Sequence, residues 1–125
     1  MKLLLDTQVL LWALQDHPRI KSIRGRLVDP EHDIFFSAAS LWEIAMKASA
    51  GRIDADAAEI RSVARADGFL ELPLTGLHVA ALLDLPALHG DPYDRILVAQ
   101  AKAEPMRLLS GDPSLAGYGE LVEII

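Results

Sequence analysis

Leu3-Leu4-Leu5-Asp6, running directly into Thr7-Gln8-Val9-Leu10-Leu11-Trp12-Ala13-Leu14, is the stretch on which the fold turns. Three consecutive leucines show no polar alternation, so they read as a short strand covered on both faces, and Asp6 stops it. Val9, Leu10, Trp12, Ala13 and Leu14 then recur at helical spacing until His17-Pro18 ends the segment. The same alternation continues outward from there. Residues 34–36, 69–72, 106–109 and 121–125 read as further strands. Helical patterns cover 19–28, 37–50 (closing at Gly51), 55–66, 77–85 and the stretch from Asp91-Pro92 to Ala103. Strands separated by helices require crossover connections. The expected class is therefore α/β, with a mainly parallel central sheet of about five strands and helices on both faces. In such sheets the ligand crevice lies outside the carboxyl ends of the strands, where strand order reverses.

Composition agrees and narrows the function. The chain has 125 residues, with 51% apolar and 24% charged side chains, which is globular composition. No repeat or linker invites a cut, so a single domain over 1–125 is expected. Without cysteine there is no disulfide framework, zinc-thiolate site or thiol nucleophile, and a reducing compartment, the cytoplasm, is allowed. No apolar run approaches a membrane span, and Lys2 and Asp6 bring charge too early for a signal peptide. The formal net charge of -6 counts against a passive nucleic-acid binder, because phosphate contact normally wants a basic footprint.

The informative point is which acids occupy the carboxyl edge. Asp6 follows the first strand, Glu43 lies in the helix after the second, Asp94 lies in the first turn of its helix, and Asp112 closely follows the fourth strand. Each has an ordinary explanation. Asp6 caps the following helix, and Ser40-Leu41-Trp42-Glu43 matches a capping box unless Ser37 is the cap. Asp91-Pro92-Tyr93-Asp94 is a helix start with acid favoured by the dipole, and Gly111-Asp112-Pro113 is a turn. Lys47 would give Glu43 a surface ion pair. Those explanations serve each acid singly and leave their common address unexplained. Four carboxylates at one edge raise one another's pKa unless a cation neutralises them, and oxygen ligands without a His or Cys cluster select Mg²⁺ or Mn²⁺.

At these residues the sequence resembles a known family. Leu3-Leu4-Leu5-Asp6-Thr7 with Val9-Leu10-Leu11-Trp12-Ala13-Leu14 resembles the opening of PIN-domain proteins, above all ribonuclease toxins of the VapC kind from bacterial toxin–antitoxin pairs. Ser37-Ala38-Ala39-Ser40-Leu41-Trp42-Glu43-Ile44-Ala45-Met46-Lys47 resembles the segment carrying that family's Glu. His89-Gly90-Asp91-Pro92-Tyr93-Asp94-Arg95-Ile96-Leu97-Val98-Ala99-Gln100-Ala101 resembles its third acidic motif, and Leu108-Leu109-Ser110-Gly111-Asp112 its fourth. The resemblance implies a three-layer α/β/α fold and Mg²⁺- or Mn²⁺-dependent RNA endonuclease activity. It implies a catalytic metal site of Asp6, Glu43, Asp94 and Asp112, with Asp91 read as a helix cap. It also implies an RNA substrate, a cognate antitoxin and a homodimer. Gln8 and Gly90 stand where His and Arg are frequent in the subgroup, and Tyr93 and Ser110 replace Phe and Thr; no metal-binding acid is missing.

Within this expectation Asp6, Asp94 and Asp112 hold metal directly or through water, and Glu43 completes the site and orients or deprotonates the attacking water. Thr7, Ser40 and Ser110 are hydroxyls for a supporting shell or for backbone caps. Arg95 is next to Asp94 without that placing it in the groove. Arg19, Lys21, Arg24 and Arg26 form either an RNA track or a solvated face, and Trp12 and Trp42 read as core or interface residues. A receiver domain would pair acids after its first strand, and a haloacid-dehalogenase-type phosphatase would show Asp-x-Asp where this chain has Asp6-Thr7-Gln8. The alternative from another class is a non-catalytic PIN-like module that binds RNA or protein.

Overall fold

The computed structural model of the chain describes residues 1–88 and 90–125. His89, the first residue of the third motif quoted above, lies outside the described residues. Strands β1 (Lys2–Leu5), β2 (Asp33–Ser37), β3 (Leu70–Leu72), β4 (Arg107–Ser110) and β5 (Val122–Ile124) form one sheet in the order β3-β2-β1-β4-β5. Every neighbouring pair is parallel. The connections carry helices α1 (Thr7–Leu14), α2 (Arg24–Val28), α3 (Ala38–Ser49), α4 (Ala57–Ala66), α5 (Gly76–Ala81) and α6 (Pro92–Ala103).

β1 lies in the middle of the sheet, and its side chains divide by parity between two cores. Leu4, opposite Phe35 and Leu108, belongs to one core, where Ile96, Leu97, Val98, Ala99 and Ala101 of α6 cover β1, β4 and Val122 of β5. Leu3 and Leu5 point to the other face, where Val9 and Leu10 of α1 and Ala64 of α4 pack over Ile34, Phe36 and Leu109. The result is three layers, α/β/α. The helices on both faces are the reason the strands carry no polar alternation.

The order 3-2-1-4-5 places the reversal between β1 and β4. The connections from β1 run towards β2 and β3, whereas the chain from β3 crosses back to β4. The crevice therefore opens beyond Leu5 and Ser110, the last residues of those two strands. The Asp6 amide donates to the Leu109 carbonyl at 3.0 Å, closing the two strand ends together.

Three local readings change. Residues 19–28 are not one helix: Pro18–Ile20 is a 3₁₀ turn capped by the His17 ring, and the α-helix starts only at Arg24. Ile20 and Ile23 both enter the core, a three-residue spacing that suits tight turns, and Gly25 weakens a continuous helix. The segment 77–85 leaves the α-helix after Ala81 and tightens into a 3₁₀ turn at Leu82–Asp84, because Pro86 holds Leu85 extended. Ser37, whose hydroxyl accepts from the Ala39 amide, is the cap of α3, which moves Glu43 to the second turn and rules out the Ser40–Glu43 capping box. Gly51, expected to end that helix, takes the left-handed conformation with φ of 71°. Among the described residues no helix is long and apolar enough to cross a membrane.

Candidate metal centre

Asp6 is the N-cap of α1. Its Oδ1 accepts the Val9 amide at 2.8 Å, and its carboxylate also takes hydrogen bonds from the Ser110 hydroxyl and the Gly111 amide. Although only 4% exposed, it stays at the cavity wall. Burial pushes its carboxyl above the ordinary value of 3.8; the three hydrogen bonds oppose the rise and the charge of Glu43 adds to it. Ser110 serves a second acid as well, its Oγ accepting the Asp112 amide at 3.0 Å. Asp112 in turn caps the 3₁₀ turn Pro113–Tyr118, with Oδ1 accepting from the amide and hydroxyl of Ser114.

Glu43 projects from the second turn of α3 and is 6% exposed. One oxygen, Oε2, is held by Lys47 Nζ at 2.6 Å, one turn further along the helix. The other, Oε1, is buried and has no hydrogen-bond partner among the described residues. A buried carboxylate oxygen left unpaired costs roughly 1–3 kcal/mol, more when charged. Across the site Asp91 caps α6, with Oδ1 accepting the amides of Tyr93 at 2.8 Å and Asp94 at 3.2 Å, and Asp94 occupies the first turn of that helix.

All these acids face one cavity of about 520 Å³. Asp6, Glu43, Asp91, Asp94 and Asp112 line it together with Trp12, Arg19, Lys47 and Gly111. Among the described residues, five carboxylates thus meet two cations in one cavity. Among the described residues no group of three His, Asp or Glu stands ready to hold an ion. The cap bonds explain the spread: Asp6, Asp91 and Asp112 each commit Oδ1 to the start of a different helical segment.

The profile of the PIN domain family matches residues 3–121, a span that contains every one of these acids. The chain belongs to the PIN domain family. Solved structures share the fold, two of them VapBC complexes. The VapBC2 complex of Rickettsia felis, bound to a DNA fragment from its promoter, superposes with a TM-score of 0.74 at 16% identity, covering 99% of this chain and 98% of the other. VapBC-1 from nontypeable Haemophilus influenzae gives 0.64 at 13% identity over 99% and 98%. At such identities the likeness is one of fold. A search of curated protein sequences finds no match to the chain.

In this PIN domain the cavity gathers the four acids singled out from the sequence and adds Asp91, which caps its helix and faces the cavity at once. Of the three hydroxyls, Ser110 bonds Asp6 directly, whereas Thr7 Oγ1 donates to Ser40 Oγ at 2.9 Å and ties α1 to α3 behind the acids. Arg95 is not part of the cavity wall, and its Nε is buried without a hydrogen bond among the described residues. Trp42 is no core residue: it is 53% exposed and meets Tyr93 edge-on. Sequence reasoning missed the roles of Trp12 and Gly111. The Trp12 ring lies against Gly111, where an added Cβ would come within 2.6 Å of two ring carbons. Only glycine allows that approach, and its amide is one of the donors that fix Asp6.

Two outcomes follow for the metal-free PIN domain. Gly111→Ala forces ring or backbone apart and costs about 1–3 kcal/mol. The loss should fall to near zero in a Trp12→Ala background, read from a urea-denaturation double-mutant cycle. The second concerns pH. Because Asp6 binds its proton more tightly folded than unfolded, its contribution is greatest below pH 3.8 and declines as pH rises through its folded pKa. Stability of wild type relative to Asp6→Asn should therefore fall with rising pH across that window and level off above it; a difference that rises with pH there would contradict the burial argument.

Proposed function

We propose that the chain is a metal-dependent endoribonuclease of the VapC kind, the toxin of a toxin–antitoxin pair, and that 1–125 forms a single PIN domain. The observation that carries this reading is that Glu43, whose buried Oε1 has no partner among the described residues, lines one cavity with Asp6, Asp94 and Asp112. Hard oxygen donors, with no cysteine in the chain and no histidine among the described residues of the cavity wall, suit Mg²⁺ or Mn²⁺ and not zinc. The residues that would hold the ion are Asp6, Glu43, Asp94 and Asp112, directly or through water. Bound there, it would lower the pKa of a water and neutralise charge on a phosphodiester.

The chain's own groups define the remainder of the chemistry. Lys47 pins Oε2 of Glu43, which leaves Oε1 as the carboxylate oxygen without a partner among the described residues. Oε1 is the atom that takes the proton of the attacking water as its oxygen bonds to phosphorus; the leaving oxygen departs with the electron pair of the broken P–O bond and is protonated from solvent. Ser110 and the Gly111 amide keep Asp6 facing the same space, and the start of α6 delivers Asp94 to it.

The reading has a partner side as well: an antitoxin that covers the acidic cavity, in keeping with the likeness to VapBC complexes, and a homodimer of this chain. A second cavity of about 510 Å³ adjoins the first, sharing Gln8, Leu11 and Ile53 with it, and is walled by Leu14, Ile60 and Val63. An antitoxin helix seated there would lie beside the acids. Val9 and Leu10 of the same α1 are spoken for by the core.

The test pairs catalysis with binding. Purified protein is incubated with structured and unstructured RNAs in Mg²⁺, in Mn²⁺ and in chelator, beside Asp94→Asn. Cleavage is expected with either metal, absent in chelator, and reduced at least about 100-fold in the variant, a loss of roughly 2.7 kcal/mol of transition-state stabilisation. Mn²⁺ should also raise the melting temperature, and Asp6→Asn should diminish that rise. Equal cleavage in chelator or by Asp94→Asn ends the mechanism. Metal binding without cleavage of any RNA favours the non-catalytic module.

A further inference from the structure

We infer that Arg19 is a phosphate-anchoring residue on the wall of the acidic cavity, gripping the RNA strand beside the phosphodiester presented to the acids. The inference rests on the ribonuclease reading above and names the side chain that positions its substrate.

Four cations lie close together in the sequence, at positions 19, 21, 24 and 26, and the fold gives them different tasks. Arg24 pairs with Asp16 at 2.8 Å, and Arg26 pairs with Glu123. Lys21 is exposed and forms no part of the cavity wall. Arg19 alone of the four lines the cavity. The other cation there, Lys47, is occupied by Glu43. Arg19 has no Asp or Glu side chain as a partner among the described residues, although five such carboxylates share its cavity. A general coating of positive charge would not produce this separation.

What holds Arg19 is chosen differently. Its guanidinium lies 4.6 Å from the centroid of the Trp12 ring, and Nη2 donates to the main-chain oxygen of Ile125 at 3.1 Å. Trp12 is itself stacked on His17 at 5.3 Å with 22° between planes, and His17 Nδ1 accepts the Arg19 amide at 3.0 Å. Side chain and backbone are thus fixed by an aromatic face, a ring nitrogen and a main-chain oxygen of Ile125. None of these is an Asp or Glu side chain. A guanidinium carries five N–H donors in a planar fork that matches phosphate, and only one is committed to Ile125. Much of the rotamer freedom that phosphate binding would remove is already lost.

The position links the anchor to the chemistry. Arg19 Nη2 comes within 3.7 Å of where a Cβ on Gly111 would stand. Gly111 precedes Asp112, and its amide bonds Asp6. A phosphate on the Arg19 fork and a phosphodiester over the acids therefore fall within one short reach of a single strand. An acidic peptide could also meet the fork, but it would bring a row of carboxylates to five others, whereas a phosphodiester strand arrives with the divalent counter-ion that the acids select.

The experiment reads binding without turnover. A fluorescent oligouridylate is titrated with the full chain by anisotropy over a salt series, in Ca²⁺ in place of Mg²⁺, the probe being checked intact afterwards. Arg19→Gln should weaken binding and lower the slope of log K against log salt by about 0.7, the loss of one single-strand phosphate contact. Arg19→Lys should keep the slope while binding more weakly, because it retains charge without the fork. Lys21→Gln should leave the slope at the wild-type value. Circular dichroism melts verify folding, and Arg19→Lys carries the comparison of fork with point charge should Arg19→Gln not fold. An unchanged slope in folded Arg19→Gln, an equal loss in Lys21→Gln, an Arg19→Lys indistinguishable from wild type, or displacement of hexaglutamate instead of RNA would overturn the assignment. RNA held with the expected slopes by a protein that cleaves none would remove the nuclease reading and leave Arg19 in place.

Discussion

Everything in this molecule depends on burying β1 on both faces. Leu4 faces one core and Leu3 and Leu5 the other, so helices must lie above and below the sheet and each connection must cross back over it. All five strands then run parallel, and each delivers its last residue to the same edge. The strand order 3-2-1-4-5 opens that edge between β1 and β4. A common address for Asp6 and Asp112 is the geometric consequence of covering three leucines.

The acids at that edge are held by the fold before any ligand arrives. Asp6, Asp91 and Asp112 each satisfy orphan amides at the start of a helical segment, contacts worth about 1 kcal/mol apiece. Those bonds fix rotamers, so the capping role and the cavity role support each other. The cost appears where capping cannot help. Glu43 sits inside α3 with one oxygen unpaired among the described residues, and burial presses Asp6 towards its neutral form. A divalent ion relieves both. It would also change the meaning of the net charge of -6, much of whose acid excess lies in the cavity where, on the proposed ribonuclease reading, phosphate would come.

Strand and helix identity was legible because each strand is a short apolar run and each long helix has periodic apolar positions with a cap. The Asp91-Pro92 start of α6 was read in full from local chemistry. The broken segment 19–28 was not, because two isoleucines three apart look helical in sequence while the core draws them into tight turns. The four acids could be named from position and resemblance, yet the contact of Trp12 with Gly111 and the hydrogen bond from Arg19 to Ile125 join residues about a hundred positions apart. No local pattern announces such pairings. Gln100 shows the same limit. It accepts the Ser37 hydroxyl at 2.6 Å and approaches His78, inside a helix whose surroundings are otherwise apolar.

The central claim is that the carboxylates converging on the β1–β4 edge form a divalent-cation site. Its most direct measurement is a crystal structure of the protein grown with Mn²⁺, with anomalous diffraction recorded at the manganese edge. The account predicts a peak inside the cavity coordinated directly or through water by Asp6, Asp94 and Asp112, with Oε1 of Glu43 turned to the ion or to one of its waters. A cavity without a manganese peak in crystals saturated with the ion, or manganese bound only elsewhere on the surface, would contradict it.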